Sequence, residues 1–252
     1  MMKYHLIIIF ILCLSISLNN SCSKEDTIIH QPPEETPALY TAFSKTEIMV
    51  NIRSLVVFKD AKLVKQTFYA DADQFEPQDV RTVAQSIISL LIGIAIDKGY
   101  IKSVEQTLND FTIPLPDPIP PNIAEIKLKD LLTMSSGFEW EELTSAYTYN
   151  RWIASGHQAQ YLFNKPFSAE PGKEFNYNSG AFHLLSIVLT SATKMKALDF
   201  ANEFLFFPLG INCTKWEPDR QGFSNGSGGL YLSPYDMIKI GQLIINGGEY
   251  AG

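Results

Sequence analysis

One run limits this chain more than any other. From Arg81 to Lys98 the apolar residues cover nearly the whole circumference of a helix. Val83, Ile87, Ile88, Leu90, Leu91, Ile92, Ile94, Ala95 and Ile96 leave no polar stripe for solvent, so the helix belongs in the middle of a domain. Lys98 suits the negative end of the helix dipole, and Gly99 suits a left-handed cap. The run opens with Asp79-Val80-Arg81-Thr82-Val83-Ala84-Gln85-Ser86. It puts a hydroxyl, Thr82, at a helix N-terminus, where the dipole stabilises developing negative charge. One turn later, on the same face, stands the neutral amide of Gln85. A lysine there could hold or remove the hydroxyl proton, and glutamine cannot. The sequence therefore predicts a buried helix whose N-terminus faces a cleft and whose alcohol lacks a base.

The rest of the chain supports one large domain or two small ones. It has 252 residues, 46% hydrophobic and 19% charged, which is globular over most of its length. Ser54-Leu55-Val56-Val57-Phe58 reads as a strand, Lys59-Asp60-Ala61-Lys62 as a turn, and Leu63 to Tyr69 as a second strand. Residues 114–121 hold five of the 14 prolines and read as extended surface loop. Ile126 to Met134 reads as a short helix stopped by Ser135-Ser136-Gly137. Residues 138–168 are rich in aromatic side chains, which serve either a packed core or a cleft rim, and core packing is the favoured reading. Gly180 to Leu189 is an apolar helix. Ser233-Pro234-Tyr235-Asp236 starts another, with a serine cap, a first-position proline and an acidic first turn.

The N-terminus carries an address. Lys3 precedes the apolar core Leu6–Leu18, which is too short for a comfortable membrane span, so residues 1–21 read as a secretory leader. Cys22 follows Asn19-Asn20-Ser21 and resembles the lipidated cysteine of a bacterial lipoprotein. Ser23-Lys24-Glu25-Asp26 resembles the acidic tag of Bacteroidetes surface lipoproteins. Residues 22–40 are polar and proline-bearing and read as a flexible tether. Residues 41–252 then form the folded domain. The expected location is the cell envelope, as an outer-membrane lipoprotein held by acyl chains on Cys22.

The formal charge is -7, and -8 once Lys3 leaves with the leader, which argues against a nucleic-acid partner. Cys13 lies in the leader and Cys22 would carry lipid, so Cys213 has no partner for an intrachain disulfide. His157 and His183 stand alone, and no Cys/His cluster has metal-site spacing, so neither metal nor cofactor is expected.

Several segments, taken in order, are similar to the serine β-lactamase and penicillin-binding-protein superfamily, nearest its class C-like branch. They are Arg81 to Ser86 with Ser89 to Asp97, then Leu131-Leu132-Thr133-Met134-Ser135-Ser136-Gly137. Pro171-Gly172, Phe175-Asn176-Tyr177-Asn178-Ser179-Gly180 and His183-Leu184-Leu185-Ser186 follow. Phe207-Pro208-Leu209-Gly210-Ile211 and Gly228-Gly229-Leu230-Tyr231-Leu232-Ser233 complete the series. The resemblance implies an α/β (α+β) fold of the β-lactamase/transpeptidase type, with an antiparallel sheet flanked by helices, a helical subdomain, and a site between them. It also implies three motifs. In Ser-x-x-Lys, serine attacks a carbonyl while lysine assists proton transfer. Tyr-x-Asn moves protons and orients the substrate. A Lys-Thr-Gly or His-x-Gly strand binds the substrate carboxylate.

Carried over residue by residue, Thr82 takes the nucleophile position, Gln85 the lysine position, Tyr177 the tyrosine and Ser179 the asparagine. The family places its third motif and closing strands beyond Gly252, so the chain reads as truncated. An amide is no general base near neutral pH, and a phenol ordinarily ionises near a pKa of about 10. Losing one general acid or base costs about 10²–10⁴ in rate. The expected function is an inactive or strongly impaired homologue that holds a small molecule, peptide or glycan in the old cleft. The alternatives are a slow hydrolase of β-lactams, D-amino-acid peptides or esters that uses Thr82, and a non-functional fragment. On local pattern alone, Thr82 reads as a helix cap and Tyr177 as a core tyrosine.

Two look-alikes are set aside. Ser191-Ala192-Thr193-Lys194 lies at a helix C-terminus, where the dipole opposes an alkoxide. Gly222-Phe223-Ser224-Asn225-Gly226 matches a nucleophile elbow, but no histidine follows it.

Overall fold

A computed structural model describes residues 36–250; the leader and Cys22 lie outside them. The first helix, α1 (Pro37–Thr46), begins inside the segment expected to be a tether. Its start has a local cause: Thr36 caps it by accepting the Leu39 N–H, and Pro37 presets the first turn. Phe43 is buried, and the Thr46 and Tyr69 hydroxyls bond, docking α1 on the hairpin that follows.

That hairpin pairs β1 (Ser54–Lys59) antiparallel with β2 (Lys62–Phe68), from Ser54 opposite Phe68 to Lys59 opposite Lys62. Its register shifts at Val57/Phe58. A second small antiparallel sheet pairs β3 (Gln78–Asp79) with β4 (Tyr231–Leu232). Among the described residues the expected sheet thus consists of two separate strand pairs.

The central helix is α2 (Val83–Asp97), closed by Gly99 at φ 77°. Between β3 and α2, Arg81 holds a left-handed φ of 53°, and its N–H is caught by Asp79 Oδ1 at 2.9 Å. This side-chain bond offsets the cost of a strained backbone just before Thr82. Short helices α3 (Pro121–Ala124) and α4 (Leu128–Leu132) follow the proline-rich loop. Next come α5 (Tyr147–Ile153) and α6 (Gln158–Phe163). Phe138, Trp140, Trp152 and Phe163 are buried, so most of the aromatic segment is core. Trp140 meets Trp152 edge to face at 6.1 Å.

The second long helix, α7 (Ser179–Thr193), is the enclosed one. Every residue from Ser179 to Leu189 is buried. Asn178 caps it by accepting the Ala181 N–H at 2.8 Å. α8 (Ala197–Ala201) runs into a wider turn over Asn202–Phe206, where the Phe207 N–H reaches the Asn202 carbonyl. The last helix, α9 (Pro234–Ile245), starts with the capping box expected from Ser233 and Asp236. Tyr235 ties it to the hairpin through Phe58 (6.0 Å, edge to face) and Gln66 (2.7 Å).

One expectation changes. α2 buries Ala84, Ile87, Ile88, Leu91, Ile92 and Ala95, but Val83 is 41% exposed and Leu90 and Ile94 are half-covered. Leu90 and Ile94 face an apolar groove of about 360 Å³ lined also by Phe204, Leu205 and Leu243. α7 and α8 pack against α2, and Leu243 of α9 lines the groove beside Leu90 and Ile94.

Candidate functional site

The β3–β4 sheet sets the site. The Val80 N–H bonds the Leu230 carbonyl at 2.9 Å, which brings the start of α2 beside the loop that precedes β4. Between them opens a cleft of about 320 Å³. It is lined by Asp79, Arg81 and Thr82, by Glu217, Asn225 and Ser227 to Gly229, and by Glu142, Tyr149 and Ser179. Thr82 occupies the N-cap position of α2, yet its side chain makes no capping bond. The local reading of Thr82 as a cap therefore gives way to a hydroxyl on the cleft wall.

Gln85 and Tyr177 do come together. The Tyr177 hydroxyl donates to Gln85 Oε1 at 3.3 Å. Gln85 is buried, and its Nε2 finds no hydrogen-bond partner among the described residues. Neither residue is among those lining the cleft. Ser179 is in place, but its groups are committed. Its Oγ donates to Glu142 Oε1 at 2.7 Å and its N–H to Glu142 Oε2 at 3.1 Å. The Trp140 indole N–H donates to the same carboxylate. Glu142 thus sits at the positive end of α7 and accepts three hydrogen bonds, a favourable place for a carboxylate.

The cleft is acidic. Asp79 pairs with Arg81 at 3.5 Å, and Glu217 with Lys215 at 3.2 Å and the Tyr231 hydroxyl at 3.2 Å. Burial pushes the Tyr149 phenol above its usual pKa; nearby Arg81 opposes that and Glu142 adds to it, so Tyr149 is a neutral donor and acceptor at pH 7. Among the described residues, no group of three or more His, Cys, Asp or Glu could hold a metal ion.

Sequence reasoning missed Glu142, Tyr149, Glu217, Asn225 and Ser227 as cleft residues, and met Gly228 and Gly229 only as part of a family segment. No local pattern distinguishes them, because only tertiary packing brings them to Thr82. His183, read as standing alone, is paired with Asp219 at 3.1 Å. The two look-alikes are structural: Ser191 Oγ accepts the Thr112 N–H, and Ser224 Oγ accepts the Leu198 N–H. Cys213 is buried and free, and burial raises its thiol pKa.

Comparison with curated proteins gave no match. Solved structures do share the fold. An octameric penicillin-binding protein homologue from Pyrococcus abyssi superposes with a TM-score of 0.66 at 16% identity, over 84% of this chain and 56% of its own. A penicillin-binding protein from Bacillus halodurans gives 0.60 at 15% identity, over 77% and 70%. A β-lactamase/D-alanine carboxypeptidase from Yersinia pestis gives 0.58 at 21% identity, over 75% and 61%. The chain spans 55% to 65% of the length of several such structures. The family model for β-lactamases matches residues 54–250, from the first strand past the last helix. That match covers more than half of the chain, and on it the chain belongs to the β-lactamase family.

Proposed function

We propose that this protein is a β-lactamase-family member that binds a small molecule, peptide or glycan in the Thr82–Ser179 cleft without efficient acyl transfer. The observation that carries this reading is Gln85. It stands one turn after the hydroxyl, is buried, and gives its carbonyl oxygen to Tyr177. An amide there neither takes the Thr82 proton nor supplies a positive charge to activate Tyr177. The threonine methyl adds crowding around the attacking oxygen.

The test is labelling of the full chain with a fluorescent penicillin and with a fluorophosphonate, followed by mass mapping. The reading expects no adduct at residue 82 and no nitrocefin turnover. An adduct at Thr82 that disappears in Thr82→Ala would overturn it.

A second reading, slow hydrolysis through Thr82, draws on one observation: that hydroxyl lines the cleft and is not spent on capping the helix. The same labelling separates the two.

Lipidation at Cys22, and with it anchoring in the cell envelope as an outer-membrane lipoprotein, belongs to this proposal. It rests on the leader pattern. Detergent-phase partitioning of the native product, lost in Cys22→Ser, is the expected result. An aqueous wild-type product would overturn it.

A further inference from the structure

Between α1 and β1 a short loop turns its apolar side chains outward. Ile48, Met49 and Val50 are 83%, 53% and 98% exposed, the one run of three large apolar residues in succession that is exposed among the described residues. Such a run lowers solubility and is kept where something covers it. Both sides of the loop are pinned to Tyr69, just past β2. The Tyr69 hydroxyl bonds the buried Thr46 hydroxyl, and the Tyr69 N–H donates to the Arg53 carbonyl at 2.9 Å. Thr46 Oγ1 also donates to the Phe43 carbonyl at 2.7 Å, and Arg53 pairs with Asp71 at 3.2 Å and Glu76 at 3.3 Å. Residues 47–52 therefore project from a fixed base, and the Met49 N–H turns back to the Thr46 carbonyl at 3.2 Å.

We propose that the Ile48–Val50 loop is a second membrane contact: its side chains enter the lipid interface and fix how the tethered domain sits on the bilayer. The proposal rests on the reading of Cys22 as a lipid anchor. The place of the loop in the chain selects lipid as its partner. One ten-residue helix, α1, separates it from Thr36, a rise of about 15 Å. The 14 residues from Cys22 to Thr36 span at most about 50 Å. An acyl anchor at Cys22 therefore keeps the loop within reach of the bilayer at a high effective concentration. The loop lines neither the cleft nor the groove beside α2. It offers aliphatic side chains without a pocket, and a fluid hydrocarbon surface accepts these without a matching shape. Its flanking charges balance: Lys45 and Glu47 are both exposed, and Arg53 is paired with acids. Attraction to anionic head groups is thus not the driving force. Acyl chains alone leave a domain free to turn, and a second contact removes that freedom.

The test supplies the anchor chemically, so its failure and the failure of the lipidation reading are distinguishable. The chain from Cys22 onward, which holds every described residue, is coupled through the Cys22 thiol to a maleimide lipid. The vesicles are phosphatidylethanolamine and phosphatidylglycerol, and Cys213 is buried and spared. Trp140, Trp152 and Trp216 are buried, so Val50→Trp places an exposed indole at the loop tip. On coupling, its emission should shift to the blue and be quenched by bromine on the acyl chains. Adding Ile48→Asp should abolish most of both effects, and raised salt should leave them in place. Phe207→Trp, at another exposed apolar site (59%), controls for affinity of the indole itself and should show neither effect. Residues 48 and 50 are exposed, so these variants should melt with wild type. An indole at residue 50 that stays in water after coupling, or quenching indifferent to Ile48→Asp, overturns the contact. So does equal quenching at residue 207, or a blue shift before coupling, which a second copy of the chain covering the loop would produce.

Discussion

The N-termini of α2 and α7 meet at one cleft and are built to different standards. The α7 end is tied at three points: Asn178 caps it, with its own Nδ2 left without a partner among the described residues, Ser179 is bonded twice to Glu142, and His183 pins the adjoining loop. The α2 end is slack by comparison. Thr82 caps nothing, Arg81 is held in a strained turn by one aspartate, and Gln85 leaves a buried amide nitrogen without a partner. The contrast separates scaffold from chemistry. Side chains at α7 tie the cleft together through Glu142 and the Gly226 loop, whereas at α2 the position that would move a proton holds an amide.

The largest test restores the slack end. Thr82→Ser with Gln85→Lys should raise the rate of labelling by fluorescent penicillin by about 10²–10⁴, the value of one general acid/base group. No gain would mean that the cleft lacks more than its base.

The next test compares the two helices as core. Leu185→Ala in enclosed α7 should cost about 2–5 kcal/mol by urea denaturation. Val83→Ala on the exposed stripe of α2 should stay within about 0.5 kcal/mol. Equal losses would mean that Val83 is covered in solution.

Acid should act on the α7 side. Burial alone would raise the Asp219 carboxyl, but the hydrogen bond and the charge attraction from His183, with the N–H groups of Phe223 and Gln221, outweigh it and hold it below the usual carboxylate value. A depressed folded pKa stabilises the native state above the unfolded value of about 4, and that contribution is lost as pH falls through the folded value. The urea midpoints of wild type and Asp219→Asn should therefore converge below about pH 4. A gap that is constant with pH would show that the charge of Asp219 is not what matters.

The smallest test concerns caps. Asn178→Ala removes a capping bond and should lower stability by about 1 kcal/mol. Thr82→Ala removes none and should lie within about 0.3 kcal/mol of wild type. A comparable loss at both positions would show that Thr82 caps α2 after all.

Local signals made much of the fold legible. Ser233-Pro234 with Asp236 fixed the start of α9, the Lys59–Lys62 turn fixed the hairpin, and apolar runs fixed α2 and α7. Each is encoded within a few residues by capping chemistry or periodicity. Periodicity could not rank the two apolar helices by enclosure, because that depends on which neighbours arrive on each face. The site divided the same way. Thr82, Gln85, Tyr177 and Ser179 stand in motifs with fixed spacing, whereas Glu142 and Tyr149 sit in an aromatic segment that looked like core.

What the sequence determined by itself is the inventory: an alcohol at a helix start, an amide where a base would serve, and helices bound to be buried. These follow from residue type and short-range spacing, which need no fold. What the tertiary structure alone decided is the pairing across long separations. Glu142 meets Ser179, and His183 meets both Asp219 and Gly226, because α7 brings together loops that lie about 40 residues to either side of it. Hydrogen bonds act over about 3 Å, and such distances are set by packing, not by order along the chain.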